Sequence, residues 1–225
     1  MQKIIVIGCP GSGKSSFSRR LRALTGLPLF HLDQMNWNAD RTTVPRAVFR
    51  ERLELALRQS AWIIDGNYGS TLEQRLLACD TVFFLDYPLE LCLEGIRQRR
   101  GKQRSDLPCI EPEDEEDAAF LSFIRAYGQE SRPRVLELLE QHPTKEIHIF
   151  TGREEADSFL ETLRPAEQSP ENCIPCIGGR RGGSDCRRVT LPVCAAPSPY
   201  WPAVKKTRAV AGARGKTVPF PGLSF

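Results

Sequence analysis

The stretch from Ile4 to Leu21, IIVIGCPGSGKSSFSRRL, carries an apolar run into a segment with three glycines, a lysine and three serines, and then into a helical pattern. Gly8-Cys9-Pro10-Gly11-Ser12-Gly13-Lys14-Ser15 satisfies G-x-x-x-x-G-K-[ST] at every fixed position. A polyphosphate needs many donors at short range. A loop that wraps it presents successive backbone N–H groups inward, and glycine lets the backbone approach closely. The helix that follows aims the positive end of its dipole at the same oxygens. Lys14 adds a mobile positive charge toward the β- and γ-phosphates, and Ser15 offers a hydroxyl to Mg²⁺. The residues expected to bind nucleotide are therefore Gly8, Cys9, Pro10, Gly11, Ser12, Gly13, Lys14, Ser15 and Ser16. Cys9 is also expected to be reactive, because an anion site lowers a thiol pKa.

Outward from this loop, strand and helix patterns alternate. KIIVIG (3–8), LPLFHLD (27–33), AWIIDG (61–66), DTVFFLDYP (80–88) and EIHIF (146–150) read as five strands. Helices are expected over 15–25, after Thr43-x-Pro45, over 89–100 and over about 153–163. Ser70-x-x-Glu73 reads as a capping box before a further short helix. The acidic run EPEDEED (111–117) reads as the solvated first turn of a helix that continues to about Tyr127. Apolar strands separated by helices predict a five-stranded parallel sheet covered on both faces, a three-layer α/β/α domain. Ligands of such sheets bind beyond the carboxyl ends of the strands, the edge that holds the glycine loop, Asp33, Asp65 and Asp86.

Composition divides the chain in two. Residues 1–164 form the expected domain. Over 166–225, eight Pro and seven Gly make a quarter of the segment, so 165–225 is expected to be a disordered tail. Of the 31 Lys and Arg and 28 Asp and Glu, residues 172–225 hold nine basic and one acidic. The remaining 22 basic and 27 acidic groups leave residues 1–171 at −5. The tail spacing Cys173-x-x-Cys176 with Cys186 and Cys194 is a poor match to zinc-site spacing. No apolar run approaches the roughly 20 residues that span a bilayer. The N-terminus leads directly into a strand, so a cytoplasmic protein is expected.

Three regions suggest phosphoryl transfer rather than hydrolysis alone. Asp65, at the end of a buried strand, can hold Mg²⁺ with Ser15, directly or through water; Asp86 is its rival. IRQRRGKQR (96–104) gathers Arg97, Arg99, Arg100, Lys102 and Arg104, and guanidinium forks suit the charge of a transferring phosphoryl group. Arg97 and Arg100 are the candidates for catalysis there, beside Lys14, in a small helical lid over about 97–130 that would exclude water. Arg125, Arg132 and Arg134 stand on its far side. In FHLDQMNW (30–37), Asp33 can orient or deprotonate an acceptor hydroxyl, while His31 and Trp37 line the pocket or simply pack.

WIIDGNYGSTLEQRL (62–76) resembles the adenylate kinase pattern D-G-F-P-R-T, with Gly69 where that pattern has its acceptor-gripping arginine. Together with the loop, HLDQMNW, FFLDYPLELCLEGIRQRRGK and RPRVLELLE, residues 1–163 resemble small P-loop kinase relatives often labelled DNA topology modulation proteins. The resemblance implies adenylate kinase-like architecture, ATP and Mg²⁺ as cofactors, and a small-molecule, nucleoside or nucleotide acceptor. The label also implies an effect on DNA supercoiling, which makes a nucleotide-dependent regulator with little kinase activity the alternative expectation. The acidic body contains no helix-turn-helix signal that would support nucleic-acid binding.

Overall fold

The computed structural model describes residues 1–102, 104, 106–108 and 118–163. The expectations for the tail, its cysteines and the acidic run over 111–117 lie outside the described residues.

The elements follow in the order β1 (Lys3–Gly8), α1 (Lys14–Thr25), β2 (Leu29–His31), α2 (Leu32–Asn36), α3 (Arg46–Leu57), β3 (Trp62–Asp65), a 3₁₀ turn (Gly69–Thr71), α4 (Leu72–Ala78), β4 (Thr81–Leu85), α5 (Leu89–Arg99), α6 (Ala118–Glu140), β5 (Glu146–Phe150) and α7 (Arg153–Thr162). The five strands form one parallel sheet in the order β2-β3-β1-β4-β5. β1 therefore lies centrally, and the chain builds outward from it first on one side and then on the other. The carboxyl end of β1 is the point where the strand order switches, which opens a crevice there.

Side-chain alternation on β1 divides the core. Ile5 and Ile7 pack with Trp62, Ile64, Val82 and Phe84 beneath α3, α4 and the second half of α6. Ile4 and Val6 pack with Ile63, Phe83 and Leu85 beneath α1, α5, α7 and the first half of α6. The expected three-layer architecture is present.

Three local expectations are corrected. The second strand stops at His31, so Asp33 sits in the first turn of the five-residue helix α2 rather than on a strand. Ser70-x-x-Glu73 forms no capping box: the residue before α4 is Thr71, without a side-chain cap, because a 3₁₀ turn occupies the approach. The helix expected to end near Tyr127 runs on to Glu140 through Pro133. Proline forfeits a helical hydrogen bond. Here Ile124 and Tyr127 pack on one face of the sheet while Val135 and Leu139 pack on the other, and that burial favours a single continuous rod.

α5 reaches the glycine loop by backbone contact. A Cβ on Gly11, whose φ is +85°, would lie 2.0 Å from the Cys92 carbonyl oxygen, and a Cβ on Gly95 would lie 2.0 Å from the Gly11 carbonyl oxygen. Two glycines thus let a helix and a loop touch. Gly95→Ala should be destabilising by about 1–3 kcal/mol, the usual cost of overpacking. In an ordinary helix interior the same change would add stability. Chemical denaturation of the two proteins gives the sign.

Candidate phosphate-binding and phosphoryl-transfer site

The loop between β1 and α1 is closed by a Ser12 N–H to Cys9 C=O bond of 3.2 Å and leads into the first helical bond, Phe17 N–H to Gly13 C=O, at 3.0 Å. α1 starts after Gly13 with no side-chain cap and no acid in its first turn. Its leading amides are thus left to whatever the loop encloses, and the dipole favours an anion. Lys14 Nζ donates to the carbonyl oxygens of Gly8 and Cys9, at 3.0 Å each. Burial pulls the Lys14 ammonium below its ordinary value, opposed by the charges of Cys9, Asp65 and Asp33. Ser16 accepts a bond from Arg19 at 3.1 Å.

Cys9 and Cys92 are buried beneath the loop. The hydrogen bond to Cys92, followed by burial, pushes the Cys9 thiol up. The Lys14 charge acts in the opposite sense.

The opposite wall comes from β2, β3 and the turns after them. Asp65 pairs in register with His31 on β2 and with Val6 on β1. His31 Nδ1 lies 2.8 Å from Asp65 Oδ1, and both side chains are buried. The other oxygen, Asp65 Oδ2, is buried with no hydrogen-bond partner among the described residues. An orphaned carboxylate oxygen at a strand end beside a phosphate loop fits a hydrated divalent cation, so the donor set suits magnesium. Asp33 accepts a bond from the Tyr68 hydroxyl at 2.9 Å. Burial raises the Asp33 carboxyl, with Arg104 opposing. Burial and then Asp33 push the Tyr68 phenol up, so Tyr68 stays a donor.

A chain of polar contacts joins the two walls. Ser15 Oγ donates to Asp106 Oδ2 at 2.7 Å. Arg104 donates to the same carboxylate through Nε and Nη2. The Arg104 guanidinium also comes within 3.8 Å of Asp33. Arg97, by contrast, is exposed and pairs with Glu94 at 3.4 Å. Arg100 is the half-buried residue that ends α5, and Arg99 stacks over Phe120 at 5.8 Å. From the basic segment, Arg104 is brought to Asp33.

Asp86 is engaged by Arg132 in a forked contact of 2.7, 3.0 and 2.7 Å. The pair borders a cavity of about 500 Å³ that also meets Cys9, Arg125, Tyr127 and Thr151. Trp37 packs half-buried at the end of α2, donating its N–H to Asp33 C=O at 2.9 Å and bridging to Thr43. Arg134 is exposed.

No family model and no curated protein matches this chain. Among solved structures, shikimate kinase from Bacteroides thetaiotaomicron is similar at 17% identity over 71% of this chain and 94% of its own, with a TM-score of 0.44. Shikimate kinase from Acinetobacter baumannii, in complex with shikimate, is similar at 21% identity over 72% and 90%, with a TM-score of 0.48. The enzyme from Aquifex aeolicus gives 18%, 71%, 94% and 0.41.

Residues missed in the sequence include Tyr68 and Arg75, and Asp106, which faces Ser15 across 91 positions of chain. Arg75 is fully buried and donates to the carbonyls of Thr71, Gly66 and Tyr68 at 3.3, 3.0 and 2.9 Å. It shapes the turn that presents Tyr68 to Asp33. Among the described residues, no helix is long and apolar enough to cross a membrane.

Proposed function

We propose that this chain is a phosphotransferase that binds ATP with Mg²⁺ in the glycine loop and transfers the γ-phosphoryl group to a small-molecule acceptor held at Asp33. The observation that carries the reading is the span between the walls. Ser15 on the phosphate loop and Asp33 on the acceptor side are bridged by Arg104 and Asp106. A phosphoryl group in the loop and a hydroxyl at Asp33 are therefore within reach of each other.

The roles divide by position. The loop amides and the start of α1 hold the polyphosphate. Lys14 swings from the carbonyls of Gly8 and Cys9 to the β- and γ-oxygens, trading neutral acceptors for charged ones. Ser15 and Asp65 would hold magnesium, directly or through water, and the ion would supply charge screening at the phosphates. His31 fixes which Asp65 oxygen is free. Asp33, raised by burial and oriented by Tyr68, takes the acceptor proton as the acceptor oxygen bonds to phosphorus and the bridging bond to ADP breaks. Arg104 offers its guanidinium to charge spread over the transferring group. Arg97, exposed and paired with Glu94, acts in this scheme only by moving from its present position, and Arg100 is proposed to act beside it.

Acceptor identity falls to experiment. The body is acidic, which disfavours DNA, and Gly69 supplies no guanidinium for an acceptor phosphate. A neutral or hydroxylated acceptor is expected over a nucleoside monophosphate. A screen of nucleosides, nucleoside monophosphates and small polyols should raise ADP release well above that of ATP alone for one class. Acceptor-independent release across the whole screen would overturn the transferase reading.

A further inference from the structure

Two side chains that would serve a nucleotide, Lys14 and Ser15, are engaged by the protein itself. Lys14 is turned back onto its own loop carbonyls, and the Ser15 hydroxyl is given to a carboxylate. That carboxylate, Asp106, is 3% exposed and anchored by Arg104, which also faces Asp33. The result is a carboxylate, anchored by a guanidinium, against the hydroxyl that must turn to a cation when nucleotide binds. Like charges this close in a buried setting exclude one another.

We propose that the Arg104–Asp106 pair is an internal competitor for this site: Asp106 must leave Ser15 before magnesium nucleotide can seat, and Arg104 is thereby released from Asp106 toward the transferring phosphoryl group. The proposal rests on the nucleotide reading above and adds a brake to it. The apparent dissociation constant is the intrinsic one divided by the fraction of molecules with Asp106 withdrawn. If that fraction is about one tenth, removing the carboxylate tightens binding by roughly tenfold. The contact also links the two halves of the reaction, because the arginine paired with the brake is the one that faces the acceptor carboxylate.

The test is titration calorimetry of magnesium-ADP into the full chain and into Asp106→Asn and Asp106→Ala, with thermal unfolding as the check that each is folded. Asn keeps the shape and removes the charge, so it decides the matter if Ala does not fold. The brake predicts tighter binding to the variants, by roughly tenfold on the estimate above. Equal affinity would overturn the brake alone and leave the nucleotide reading standing. Weaker binding would overturn it in the other direction, by assigning Asp106 to holding Ser15 or the cation. Absence of heat from all three folded proteins would instead overturn the nucleotide reading, and the brake with it.

Discussion

Lys14→Ala abolishes phosphoryl transfer, with kcat falling by roughly a hundredfold to a thousandfold or more, as when one preorganised charge or donor is removed from a transition state. The fold survives the change. Lys14 is only half-buried and its hydrogen bonds go to two carbonyls of its own loop, each worth about 1 kcal/mol net. The loop geometry itself is set by glycines and by the contact with α5, which do not involve the side chain. Steady-state ADP release and thermal unfolding, measured together, separate the two effects. Lys14→Arg restores charge but brings a planar fork where a compact ammonium fits, so it recovers little. Unimpaired turnover in folded Lys14→Ala would count directly against the scheme.

Arg75→Ala is expected to give the largest loss of stability, about 3–5 kcal/mol, as when a buried charged group is stripped from its hydrogen-bonded partners. The carbonyls of Gly66, Tyr68 and Thr71 each lose a donor, although Tyr68 C=O keeps those of Thr71, and a side chain with no exposure leaves a void. Burial pulls the Arg75 guanidinium down to about 10, still far above neutrality, so the charge persists in the folded protein. For a chain of this length the loss corresponds to a fall in the unfolding midpoint of roughly 6–20 °C. The same change loosens the turn that holds Tyr68 on Asp33, so the acceptor KM should rise in whatever protein remains folded. Arg75→Lys should recover only part of the loss, because one ammonium cannot reach three carbonyls in a fixed fan. A midpoint shift under about 2 °C for Arg75→Ala would show that water or a rearranged turn replaces the arginine.

What the sequence discloses here is what its residues encode locally. The glycine loop is an eight-residue pattern with a physical role at each fixed position, and it stands where the pattern requires, between a buried strand and a helix. The strands are apolar runs whose ends are marked by charge, so Asp65 is legible before any coordinates. Asp33 is legible as a residue but not as a setting. Leu32 to Asn36 is too short to show helical periodicity, and the strand pattern runs on through it.

The remainder depends on contacts that no local pattern records. Arg75 looks like a surface residue of a short helix, and its burial is decided by a turn that turns three carbonyls inward. Within the basic segment 96–104, counting charges cannot separate Arg97, which faces solvent beside Glu94, from Arg104, which faces Asp33. Pro133 and Gly128 read as helix breakers, yet α6 spans both because its two halves are buried on different faces of the sheet. Gly95 reads as a defect in a helix and is the reason that the helix can touch the phosphate loop.

The central claim is that the bend after β1 is built to hold a polyphosphate. It is tested most directly by titrating magnesium-ATP into folded wild-type protein and following the heat. The account predicts saturable binding at one site per chain, weakened strongly when Lys14 is removed. A flat titration on protein shown to be folded would contradict it.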